Sequence, residues 1–122
     1  RFTKKNTEQF LASTKKILEL NQKGLKLEFE IGSLIYSLML RIRGLLMIKV
    51  SHSNELYSKS LLLDYLRNNN MPKEKIEELY KIYIKERDGV HIKESNLIAK
   101  ADIKRLLGIA ENLLKDVKKS LR

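Results

Sequence analysis

Apolar residues recur along this chain at helical spacing, and no stretch sustains the two-residue alternation of a half-buried strand. Thr7, Glu8 and Gln9 open a first run in which Phe10, Leu11, Thr14, Ile17, Leu18 and Asn21 share one face, and Gly24 supplies a left-handed stop. A second run extends from about Leu25 through Phe29, Ile31, Leu34, Ile35, Leu38, Met39, Ile42, Leu45, Leu46 and Ile48. It is apolar around most of its circumference, so the pattern predicts a helix at the centre of a bundle. Gly32 and Gly44 interrupt that helix without ending it, as happens where another helix approaches closely or where two copies meet. The polar stretch Val50 to Asn54 is turn-prone.

A short amphipathic helix follows, from Leu56 through Leu61, Leu62, Leu63, Tyr65 and Leu66, and it stops at the run Asn68, Asn69, Asn70. Pro72 fits the first turn of a fourth helix, with Glu74, Glu77 and Glu78 near the positive end of its dipole and Ile76, Leu79, Tyr80 and Tyr83 as its buried stripe. That helix ends near Asp88 and Gly89. The last one starts around Asn96 and carries Ala99, Ile103, Leu106, Ala110, Leu113 and Val117 at alternating four-three spacing, flanked by Leu107, Leu114 and Leu121. The expectation is an all-α fold, an up-and-down bundle of four to five helices forming one domain over residues 1–122.

Composition narrows the chemistry. The 122 residues contain no Cys and only His52 and His91 as imidazoles, which excludes thiolate metal sites and an all-imidazole zinc centre; no cofactor is implied. The longest charge-free apolar run, Ile31 to Leu40, is short of the roughly 20 residues a membrane-spanning helix needs. No basic segment followed by an apolar one opens the chain, so a cytoplasmic location is the default. Twenty-five Lys plus Arg against 15 Asp plus Glu leave a formal charge of +10, which favours polyanionic partners, RNA or a nucleotide first. Lys and Glu solvating long exposed helix faces account for the same excess equally well. The small number of aromatic residues leaves few platforms for stacking unpaired bases.

One local constellation carries candidate chemistry. Continued by one turn, the stripe of the fourth helix reaches Arg87, where a guanidinium is costly unless an anion meets it; His91 follows past Gly89. An Arg fixed on a helix beside a His on the next turn suits phosphodiester chemistry, because imidazole moves protons near neutral pH and guanidinium neutralises phosphate charge. Equally, Arg87 pairs with Asp88, Glu86 or Asp102 and His91 caps the turn.

Three stretches resemble the HEPN superfamily (higher eukaryotes and prokaryotes nucleotide-binding domain). They are the apolar helix Phe29 to Ile48, the segment Ser58 to Leu66 before a break, and Tyr83 to His91 followed by a final amphipathic helix. The hallmark of that superfamily is an Arg, usually with a polar residue after it, then a His four to six intervening residues on. Arg87 is followed by the polar Asp88, but only Asp88, Gly89 and Val90 separate it from His91. Either the break at Gly89 still turns both side chains into one cleft, or the ribonuclease activity of the family's active members is lost. The resemblance implies a metal-independent endoribonuclease, often in toxin-antitoxin pairs with a small nucleotidyltransferase. In it, a homodimer pools its sites, Arg87 neutralises the scissile phosphate, His91 serves as general acid or base and Asp88 orients one of them. The competing expectation is a non-catalytic helical module that binds a protein partner or a nucleotide through residues such as Tyr80, Tyr83 and Leu121.

Overall fold

The computed structural model describes residues 3–23, 31–51, 53 and 55–121, Gln22 and Lys23 by their backbone alone. Five helices make up an all-α bundle among these residues: α1 (Lys4–Lys23), α2 (Ile31–Ser51), α3 (Lys59–Asn68), α4 (Lys73–Arg87) and α5 (Lys100–Ser120). The expected stop at Gly24, the start of the second helix near Leu25, Phe29, His52, Asn54 and Arg122 lie outside the described residues.

The most apolar helix occupies the centre, since only there do several helices cover it at once. Ile35, Leu38, Met39, Ile42, Leu45 and Ile48 of α2 are wholly buried, chiefly against α4 and α5, with α3 and α1 closing the remaining sides. By length and composition α2 is apolar enough to cross a bilayer, and 56% of its apolar window is buried against the other helices. From α5, Ile103, Leu106, Ala110, Leu113 and Val117 enter the core as their spacing predicts. Each fully buried Leu or Ile contributes roughly 1.5 to 3 kcal/mol through removal of apolar surface from water.

Helix boundaries shift where local hydrogen bonding decides them. Helix α1 begins at Lys4 rather than Thr7, because Thr3 caps it: the Asn6 N–H donates to Thr3 Oγ1 at 3.1 Å. Helix α3 begins at Lys59 rather than Leu56, since Ser58 Oγ accepts from the Leu61 N–H at 3.2 Å; Leu56 stays outside and 90% exposed. Pro72 is the N-cap of α4 rather than a first-turn residue. Helix α5 starts at Lys100 instead of near Asn96, because the Asp102 carboxylate reaches back 2.8 Å to the Ala99 N–H. Asp102 also meets Lys75 of α4 at 3.4 Å, which fastens the start of α5 to its neighbour.

Both ends of the α3–α4 unit close in the same way. After α3 the Met71 N–H donates to the Leu66 carbonyl and the Asn70 N–H to that of Arg67, with Asn70 left-handed at φ 67°. After α4 the Val90 N–H donates to Lys85 and the Gly89 N–H to Glu86, with Gly89 at φ 87°. Each is a Schellman closure, and the second places Gly89 in the left-handed conformation its position predicts. It also decides where Arg87 and His91 go.

Candidate functional site

Two helices present the same kind of arc to each other. On α4, Tyr80, Tyr83 and Arg87 recur at helical spacing; on α2, Tyr36, Leu40 and Arg43 do likewise. Where α2 and α4 pack, these arcs form the walls of a groove, which Tyr57 before α3 and Lys59 and Leu62 within it complete. The groove encloses about 380 Å³, the size class of a small-ligand site. Tyr36 and Tyr83 stack with ring centroids 5.3 Å apart and planes 19° from parallel, and Tyr80 leans on Tyr83 at 5.9 Å.

The cations are held against the rings. The Lys59 ammonium lies 4.5 Å from the centroid of Tyr80, and the Arg43 guanidinium 5.3 Å from that of Tyr57. Burial pushes the Tyr57 and Tyr83 hydroxyls above the ordinary phenol range, and Arg43 pulls both partly back. Arg87 also lines the groove, its hold on the proton strengthened by the hydrogen bond to Asp88 and that residue's charge. Among the described residues, three cations and four tyrosines line the groove and no carboxylate does.

Arg87 does not continue the buried stripe of α4, contrary to expectation. Ile76, Leu79, Ile82 and Tyr83 form that stripe, and Glu86 ends it with a side chain only 5% exposed. One step round the helix, Arg87 is 54% exposed, and its Nε donates to Asp88 Oδ1 at 3.2 Å. Past Gly89 the chain folds back so that His91 Nδ1 lies 3.2 Å from Glu86 Oε2. The other oxygen of Glu86 accepts from the Ile92 N–H at 2.8 Å, while the Ile92 carbonyl accepts from the Gly32 N–H at the start of α2 at 2.7 Å. Arg87 and Asp88 are therefore paired, and His91 is paired with Glu86; His91 does not line the groove that Arg87 enters.

The sequence offers Glu86 only as a partner of Arg87, and the Tyr36 and Tyr57 walls have no counterpart in it. A signal for the walls exists in the matching Tyr and Arg spacing on α2 and α4, but it becomes informative only once those helices are known to be neighbours. The role of Glu86 turns on a contact with the 89–92 segment that no periodicity encodes. Among the described residues, no group of three or more His, Asp or Glu side chains converges as a metal site would require. No family model, curated protein or solved structure matches the chain.

Proposed function

We propose that this protein is a non-catalytic helical module that binds a nucleotide unit in the groove between α2 and α4. The observation that carries the reading is the gathering of four of the chain's five tyrosines with Arg43, Lys59 and Arg87 in one cleft. Phenol rings offer stacking surface to a base, and the flanking cations supply the charge a phosphate needs. The low aromatic content is offset by concentrating the rings in one place. Because the chain has no Trp, tyrosine emission reports directly on this groove.

Titration with a nucleoside monophosphate is expected to quench that emission saturably, and ribose phosphate, which lacks the base, to bind more weakly. Arg87→Gln, on an exposed side chain, and Tyr80→Ala should each weaken binding while the helical signal is kept. Absence of saturable quenching by any nucleotide would refute the reading.

The endoribonuclease reading keeps one supporting observation, the presence of Arg87 in the lining of a cationic groove. The HEPN resemblance belongs with it, as do a homodimer and a nucleotidyltransferase partner. It requires His91 to leave Glu86 and enter the groove, and the pairing at 3.2 Å favours the binding module.

A further inference from the structure

We infer that the groove between α1 and α2 is a second nucleotide subsite, so that the ligand is a single-stranded oligonucleotide crossing Arg43 from one groove into the other. The inference rests on the nucleotide-binding reading of the tyrosine groove. It begins from a shared wall: Leu40 and Arg43 of α2 line both grooves, so the two adjoin on the surface of α2.

The second groove is the larger, about 670 Å³ against about 380 Å³. Its shape follows from Gly44. A Cβ there would collide with the Phe10 ring, approaching Cε1 to 3.0 Å, so only glycine lets Phe10 lie against the α2 backbone. Phe10 and Met47 form an apolar floor, and α1 adds the amides of Asn6 and Gln9 and the hydroxyl of Ser13. Amide groups both donate and accept, which is what the exposed edge of an unpaired base requires, whereas the Ser13 hydroxyl has spent its proton on the Phe10 carbonyl at 3.1 Å. Among the described residues, no carboxylate lines this groove either.

Electrostatics support the same path. Arg41 lies over the Phe10 ring at 5.0 Å and donates to Ser13 Oγ at 3.0 Å, keeping a guanidinium beside the second groove. Arg43 stands at the junction, where a strand spanning both grooves must place a linking phosphate. A mononucleotide would fill the tyrosine groove and leave the α1 amides without a role. A duplex would hide the base faces and edges that both grooves are built to meet.

The test compares a mononucleotide, a trinucleotide and a hairpin RNA by calorimetry at fixed salt, with the wild type and with Asn6→Asp, Gln9→Glu. Both substituted side chains are exposed, and circular dichroism checks that the fold is kept. Affinity is expected to rise at least about tenfold from the mononucleotide to the trinucleotide, the scale of one added stacked base. The double variant should lose that gain and keep the mononucleotide affinity; the hairpin should bind more weakly than the trinucleotide. Equal affinity for mononucleotide and trinucleotide overturns the second subsite and leaves the first standing. So does a variant that weakens both alike, or a hairpin that binds as well as the single strand. Failure of the mononucleotide and the trinucleotide alike removes both readings.

Discussion

The carboxylate of Glu86 and the imidazole of His91 meet at 3.2 Å from opposite environments, one side chain 5% exposed and the other 66%. The asymmetry assigns the stability to Glu86. Its second oxygen satisfies the Ile92 N–H, and Ile92 in turn receives the Gly32 N–H at the start of α2, so one carboxylate ties the 89–92 segment to two helices. Glu86→Ala is expected to destabilise the fold by about 2 to 3 kcal/mol, because it orphans a backbone donor and removes a charge-assisted bond. His91→Ala should cost less than about 1 kcal/mol, as its interaction is largely exposed. Urea unfolding of both variants checks the order, and equal losses would contradict it.

The glycines of α2 and α5 offer a graded series. At Gly32 a Cβ would meet the Glu86 carboxylate and come within 2.7 Å of the Ile92 carbonyl oxygen, part of the backbone that cannot swing aside. At Gly44 the obstacle is the end of a Phe ring, which can turn. At Gly108 nothing lies within 4 Å. Gly108→Ala should therefore stabilise by about 0.5 to 1 kcal/mol through helix propensity, with Gly44→Ala near neutral or destabilising and Gly32→Ala the worst. Thermal melts of the three variants test the ranking.

Those glycines show what the sequence makes legible. The interruption of an apolar helix by Gly32 and Gly44 indicates close approach, and both do have close neighbours, but these are Glu86, Ile92 and Phe10 of the same chain. Period and burial are one-dimensional properties, so the central place of α2 and the inward stripe of α5 follow from spacing alone. The groove is a relation between elements. Tyr36 and Tyr83 are 47 positions apart in sequence yet stack at 5.3 Å. Arg87 shows the limit most plainly: a step of one residue, from Glu86 to Arg87, separates a buried stripe position from an exposed one, and only the Schellman closure at Gly89 reveals which side chain the returning segment meets.

Alkaline titration should reveal the half-buried tyrosines. Burial raises the hydroxyl pKa of Tyr57, Tyr65 and Tyr83 above the ordinary 10.0. In the unfolded chain these phenols ionise near pH 10.0, whereas in the fold they hold their protons longer, so their contribution is complete below that pH and disappears as pH rises through the folded values. Absorbance of the phenolates of Tyr57, Tyr65 and Tyr83 is expected to develop at higher pH in the native protein than in the unfolded chain, and the unfolding midpoint to fall above pH 10.0. Ionisation of Tyr57 and Tyr83 at the same pH in the native and the unfolded protein would count against the packing of the groove.

Arg87 and His91 should part company in any functional assay. Arg87 lines the tyrosine groove with its Nε on Asp88, which leaves the terminal guanidinium nitrogens for a phosphate; His91 pairs with Glu86 and lines no wall of that groove. In the binding module, Arg87→Ala weakens nucleotide affinity and lowers the salt slope of oligonucleotide binding by about one, the signature of one lost phosphate contact. His91→Ala leaves both unchanged, and the wild type cuts no RNA with or without chelator. A ribonuclease would behave otherwise: each substitution would abolish cleavage, with the fold and melting temperature nearly intact. Measuring affinity, salt slope and RNA cleavage on the same two variants therefore separates the readings. Cleavage lost in both would restore the catalytic pair and require that His91 swing from Glu86 when RNA binds.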